Sequence, residues 1–234
     1  MAEQLVFDLP VRPAMGRGDF FVSGSNAVAL AQVEGWRDWP HGKLVLTGPS
    51  GAGKTHLAHV WATQTGARII AASDITERDV EPLGQSEALA IEDMEAVAGD
   101  RAAETRLFHI HNALTNRGAP MLFTAGAPPA RWGLCLPDLD SRMGQAGLAA
   151  LDPPDDALLA ALILKLAHDR ALPLTPAILS HVAPRIERAF AAAQAFVERL
   201  DARALSRQRP PRLIDAKAVL AELEAGVSRS RHDT

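Results

Sequence analysis

Cysteine is nearly absent: Cys135 is the single one in 234 residues, so no internal disulfide can form and no Cys-rich zinc pattern exists. Long apolar runs are missing as well. The longest, Ala157 to Leu164, has eight residues between Asp156 and Lys165, far short of the roughly 20 that a helix needs to cross a bilayer. The opening Met-Ala-Glu-Gln lacks the basic-then-apolar order of a secretory signal. Neither sign of charge dominates. The 24 Lys and Arg against 28 Asp and Glu leave a net charge of −4, which argues against indiscriminate coating of DNA by phosphate neutralisation. No internal repeat and no low-complexity tract occurs. These absences predict a soluble, cytoplasmic protein with no membrane partner. The remaining composition, 47 % hydrophobic and 22 % charged, is that of a globular chain and excludes disorder throughout. Its length suffices for one core or two modest domains burying roughly 70–75 % of the unfolded surface.

Residues 1–18 read as an irregular, flexible leader broken by Pro10, Pro13, Gly16 and Gly18. An Ala-rich helix is expected over Asn26–Val33, with Ser25 or Asn26 as its cap. Apolar strands are expected at Lys43–Thr47, Arg68–Ala72, Ala88–Ile91 and Met121–Thr124. Helices are expected after the first strand, to about Gln64, and over Glu104–Asn116. Strands alternating with helices give an α/β fold, a parallel sheet sandwiched by helices. At Leu151-Asp-Pro-Pro-Asp-Asp156 the pattern becomes purely helical, with helices expected at Ala157–Ala171, Pro176–Ala183, Ile186–Ala204 and Ala216–Ala225. The expected organisation is a leader (1–18), an αβα nucleotide-binding domain (19–151), a small all-helical lid domain (152–227) and a frayed tail (228–234).

The first strand runs into Gly48-Pro-Ser-Gly-Ala-Gly-Lys-Thr55, a complete Walker A pattern in its strand–loop–helix context. Gly48, Pro49, Ser50, Gly51, Ala52 and Gly53 would turn backbone N–H groups around phosphates, with His56 following at the phosphate side. Lys54 would reach the β- and γ-phosphates of ATP or ADP, and Thr55 would offer its hydroxyl to Mg²⁺. A second acidic element, Leu89-Ala-Ile-Glu92-Asp93, ends an apolar strand in two carboxylates. Glu92 would face the metal and Asp93 would orient water. Asp is usual at the metal side. The extra methylene of Glu92 displaces its carboxylate by roughly an ångström, and a misplacement of that size can cost about 10²-fold in rate. Nucleotide binding is expected, with weak intrinsic hydrolysis.

Taken together, these motifs resemble the DnaA-related AAA+ P-loop ATPases over residues 19–225. Phe20-Phe-Val-Ser-Gly-Ser-Asn26 is similar to the segment that packs near adenine in that family, which implies Phe21 and Val22 as nucleotide contacts. Glu92 to Gly99 and Leu107 to Leu114 are similar to its Walker B stretch and the following helix. Leu136-Pro-Asp-Leu-Asp-Ser-Arg142 resembles the region carrying the arginine finger, which implies that Arg142 acts in trans on a neighbour's nucleotide. The lid arginine that senses nucleotide is assigned to Arg188, with Arg185 as the alternative one helical turn away. At the sensor strand's end the chain departs from the family, placing Gly126 where relatives carry an acidic residue.

Two features set the chain apart from the initiators. It is expected to lack their helix-turn-helix domain, and Gln4-Leu-Val-Phe-Asp-Leu-Pro10 resembles the peptide with which replication proteins dock on the sliding clamp. The resemblance implies a hydrogen bond from Gln4 and apolar anchors from Leu5, Phe7 and Leu9. The combination is similar to the family's regulatory members, which inactivate the initiator DnaA after replication starts. It implies the clamp and the initiator as partners, DNA contact through the clamp, a nucleoid-associated location in the cytoplasm and self-association. The alternative is a stand-alone AAA+ ATPase that loads or remodels a replication component. A small-molecule kinase fits less well, because such kinases usually place the P-loop near the N-terminus.

Other features carry less. His56 and His59 have metal-ligand spacing but no third ligand, and His109 and His111 point to different sides of one helix. Cys135 has no activating base, and Trp36, Trp39, Trp61 and Trp132 read as packing. Arg199, Arg203, Arg207, Arg209 and Arg212 stand against Asp201 alone; a solvated face accounts for them, and contact with nucleic acid or a partner is the alternative.

Overall fold

The computed structural model of the chain describes residues 20–230. Gln4, Leu5, Phe7, Leu9 and the rest of the leader lie outside the described residues, as do residues 231–234. The strands are β1 (Lys43–Thr47), β2 (Arg68–Ala71), β3 (Leu89–Glu92), β4 (Met121–Ala125) and β5 (Gly147–Ala150). They form a sheet in the order β2-β3-β4-β1-β5, parallel at every pairing. Between and before them lie α1 (Ala27–Glu34), α2 (Lys54–Thr65), α3 (Val80–Gly84), α4 (Arg101–Arg117) and α5 (Pro137–Gly144). Beyond the sheet come α6 (Asp156–Asp169), α7 (Pro176–Val182), α8 (Phe190–Ser206) and α9 (Leu213–Ser230).

Every residue of β1 and of β4 is buried, the signature of central strands covered on both faces. Because successive side chains alternate, Leu44 and Leu46 enter one core with Val33, Leu57, Val60 and Trp61, while Val45 enters another with Leu83, Leu107, Ile110 and Met143. A third core consists of residues after Leu158 and is built within α6 to α9, around Ile163, Phe196, Leu200 and Val219. Among the described residues, no helix is long and apolar enough to cross a membrane.

Local chemistry explains where the elements depart from the sequence expectation. The α4 helix begins at Arg101 rather than at Glu104, because Asp100 caps it by accepting from the N–H groups of Ala102 and Ala103. Asn26 stands at the N-cap of α1, but its side chain turns back to accept from Ser23 N–H and donate to Phe21 O. The α8 helix starts at Phe190, not at Ile186. Ala189 is extended, and the Phe190 N–H bonds to Gly51 O at 3.1 Å, holding the preceding segment on the P-loop. Arg185 and Arg188 are therefore not one helical turn apart on a helix. The unpredicted β5 pairs with β1 from Leu44↔Gly147 to Thr47↔Ala150.

Candidate functional site

The loop between β1 and α2 depends on backbone shapes that side chains would obstruct. Gly48 has φ +156°, and a Cβ there would lie 2.6 Å from Leu151 O. Gly51 has φ +74°, and a Cβ there would lie 2.7 Å from the Cβ of Ala189. The first turn of α2 follows Gly53, which offers no capping side chain, so donors at this helix start are left for an anion. Lys54 Nζ donates to Gly48 O at 2.8 Å and to Pro49 O at 3.1 Å. It thus bridges the carbonyls of its own loop. Thr55 is exposed beside it.

His56 is placed by packing. Its ring meets Phe20 edge-on at 5.3 Å and Phe190 at 6.2 Å, joining the entry segment, α2 and α8. Phe20 is buried and makes the contact to the P-loop helix, whereas Phe21 and Val22, the pair that resemblance implies as nucleotide contacts, are 40 % and 53 % exposed. Pro49, Ser50 and Ala52 complete the loop, with Ala52 buried. A cleft of about 670 Å³ adjoins it, lined by Ser50, Gly51, Arg185, Glu187, Ala192 and Leu223.

Glu92 and Asp93 end β3 on the same edge of the parallel sheet as the P-loop. Glu92 Oε1 is buried and has no hydrogen-bond partner among the described residues. A buried orphan carboxylate oxygen and an exposed threonine hydroxyl, both at the C-terminal edge of the parallel strands, are the hard-oxygen donors that Mg²⁺ accepts, so the chemistry of Glu92 and Thr55 fits that ion. Among the described residues, no group of three His, Cys, Asp or Glu forms a metal cluster. Asp93 adopts φ +56° and donates its N–H to Thr124 Oγ1 at 3.1 Å. Glu95, which sequence reasoning missed, accepts from Gly126 N–H at 2.8 Å and Ala127 N–H at 2.7 Å. A Cβ on Gly126 would stand 3.2 Å from Glu95 Oε1, so Glu95 occupies the space left by the missing side chain.

Arg188 donates to Pro154 O at 3.2 Å and pairs with Asp156 at 2.7 Å, tying the start of α8 to the start of α6. Arg185 donates to His181 O and lines the cleft.

Arg142 is exposed on α5, and its side chain makes no hydrogen bond or ion pair among the described residues. The strand that follows it, β5, starts opposite Leu44, at the far end of β1 from the P-loop. Four residue steps along β1, roughly 3.3 Å each, separate the two ends by about 13 Å. Behind Arg142 lies a buried pair, Lys43 Nζ to His111 Nε2 at 2.9 Å. Burial, then the Arg142 charge, lowers Lys43 to about 8. Burial and the Lys43 charge lower His111 to about 4, so Lys43 carries the proton at neutral pH.

The remaining candidates recede. Arg203 pairs with Glu222, while Arg207 and Arg209 both pair with buried Asp215, so three of the five arginines serve the chain's own helices. Hydrogen bonds led by that from Arg209 lower Asp215 to about 2. The Cys135 thiol is pushed up by desolvation and by the Glu104 carboxylate, away from reactivity.

No family model matches the chain. Among solved structures, it is similar to domain III of the Thermotoga maritima replication initiation protein DnaA, with TM-score 0.80 and 20 % identity over 92 % of this chain and 98 % of that one. It is similar to AMPPCP-bound DnaA from Aquifex aeolicus, with TM-score 0.69 and 15 % identity over 84 % of this chain and 70 % of that one. The Thermotoga maritima RuvB Holliday junction branch migration motor gives TM-score 0.70 and 18 % identity, covering 90 % of this chain and 72 % of that one. With five parallel strands, flanking helices and the Walker loop in place, the chain has the AAA+ P-loop fold that its sequence led us to expect.

Proposed function

We propose that this chain is a nucleotide-bound AAA+ regulator of chromosomal replication initiation, of the Hda type, acting on a DnaA-like initiator. The observation carrying the proposal is the position of Arg142: exposed, unpaired among the described residues, and at the opposite end of β1 from the chain's own P-loop. An arginine there is too far from the chain's own P-loop to serve its own nucleotide, so on this reading the phosphate it meets is presented by another molecule. The likeness to DnaA structures, one of them AMPPCP-bound DnaA from Aquifex aeolicus, supports a replication role and a nucleotide ligand.

On this reading the chain's own ATP or ADP sits in the loop from Gly48 to Thr55. Lys54 exchanges the carbonyls of Gly48 and Pro49 for phosphate oxygens, a stronger charge-assisted interaction. Thr55 and Glu92 would hold Mg²⁺, which would neutralise phosphate charge there. Intrinsic turnover is weak, because Glu92 replaces Asp and Gly126 has no side chain to reach phosphate or water. Arg142 instead enters the initiator's ATP site and stabilises the charge on the transferring phosphoryl group, a contribution of about 10³–10⁵ in rate for such fingers. Gln4, Leu5, Phe7 and Leu9 dock the chain on the DNA-loaded clamp, which brings it to the initiator in the cytoplasm, at the nucleoid. The same trans geometry admits self-association.

The test is hydrolysis of ATP pre-bound to initiator after addition of this chain with DNA-loaded clamp. Clamp-dependent acceleration supports the proposal. No acceleration with active partners rejects it and favours a second reading, a stand-alone AAA+ loader. That alternative draws on the intact Walker loop and the orphan oxygen of Glu92, and it requires fast clamp-independent turnover stimulated by single-stranded DNA.

A further inference from the structure

Two carboxylates that this chemistry leaves unused hold one stretch of chain at its two ends. Glu95 accepts from the N–H groups of Gly126 and Ala127, where the chain leaves β4. Glu104, on α4 and 0 % exposed, accepts from Gly99 N–H at 2.8 Å, Cys135 N–H at 3.0 Å and Leu136 N–H at 2.7 Å. Burial alone would raise the Glu104 carboxyl, but the three backbone donors outweigh it and hold the group below the usual carboxylate range. It is therefore an ionised acceptor at neutral pH. Between the two anchors, buried Trp132 donates its indole N–H to Ala127 O at 2.7 Å.

The held stretch ends at α5. Leu136 is the N-cap of that helix and has no side chain able to cap it, and Pro137 follows as its first residue. Glu104, from another element, accepts from the N–H of the N-cap residue and of the residue before it, placing negative charge at the positive end of the helix that carries Arg142. Only Leu139 and Met143 are buried along α5. Two apolar anchors leave an eight-residue helix free to tilt, and a tilt of an ångström at a finger can cost about 10²-fold in rate.

We infer that Glu104, with Glu95, is a positioning residue for Arg142. Glu95 joins the turn after β3, beside Glu92 and Asp93, to the start of the stretch from 126 to 136, and Glu104 fixes its end. The conformation of the nucleotide-side edge is thereby passed to the finger helix. The inference rests on the trans-acting reading of Arg142.

The test substitutes Glu104→Gln, which keeps shape but loses charge and replaces one of the two acceptor oxygens by an NH2 donor, facing either the Leu136 N–H or those of Gly99 and Cys135. Maximal acceleration of initiator ATP hydrolysis should fall about 10-fold, the order expected when a charged acceptor is lost from a buried site. The half-saturating concentration should stay the same, since clamp docking lies elsewhere. In an Arg142→Ala background the same substitution should add nothing. Amide hydrogen exchange over residues 135–140 should rise by about the same factor, with α8 unaffected. Glu95→Gln, which retains one acceptor, should repeat the pattern more weakly and guards against a misfolded first variant. Unchanged exchange at 135–140, or an undiminished effect in the Arg142→Ala background, overturns the inference. If wild-type protein gives no acceleration, the finger reading fails, and the exchange arm alone decides whether Glu104 positions α5.

Discussion

At one end of β1 the chain builds its site from backbone; at the other it builds from side chains. The P-loop end is shaped by glycines with no room for a Cβ, and its lysine bonds to carbonyls five and six residues away. The opposite end buries Lys43 against His111, 68 residues apart, beneath an arginine carried by a separate helix. A backbone site is encoded by consecutive residues and tolerates few substitutions. A side-chain site is assembled across the fold, and each partner tunes it separately.

The sharpest way to break this comparison is Arg142→Ala. It should remove about 10³–10⁵ of the acceleration of initiator ATP hydrolysis while leaving nucleotide affinity unchanged; single-turnover hydrolysis and a fluorescent-nucleotide titration read the two halves. Gly48→Ala should do the reverse. Its Cβ would meet a backbone oxygen at 2.6 Å, so a loss of about 2–4 kcal/mol in unfolding free energy and weakened nucleotide binding should appear together in thermal and titration data.

The smallest effect is the pH dependence that the Lys43 end contributes. Lys43 titrates at about 8 in the folded chain against 10.5 for the free side chain. Between those values the unfolded state holds more protons, so stability should rise with pH across that window. His111, lowered to about 4 from 6.5, gives the same sign lower down: stability should fall as pH drops through that range. Urea unfolding at stepped pH should show both slopes in wild type, with the upper one absent in Lys43→Met. An unchanged upper slope in Lys43→Met would mean that this lysine is not the titrating group.

The same contrast decides what could be read from sequence. Lys43–Thr47 was legible to the residue because a doubly covered strand is simply an apolar run, and the P-loop because its chemistry is contiguous. The β5 strand was not, since Gly147-Leu-Ala-Ala150 lacks branched residues and becomes a strand only by pairing with β1. The inward packing of Phe20 was not legible, because which of three adjacent apolar residues turns inward depends on the Asn26 bond to Phe21 O. Glu95 and Glu104 were invisible as anchors: their acceptor roles join residues 31 and 32 positions apart. Asp100, by contrast, was a readable helix cap, and the expectation placed the helix start three residues late.

The bond from Phe190 N–H to Gly51 O joins main chain to main chain. No side-chain exchange deletes it, short of proline at 190, which has no N–H to give. The P-loop and the first turn of α8 thus share a degree of freedom that sequence drift cannot easily uncouple. A ligand that rotates the Gly51 peptide must either carry α8 with it or break the bond, which makes the C-terminal helices a mechanical gauge of what the loop holds.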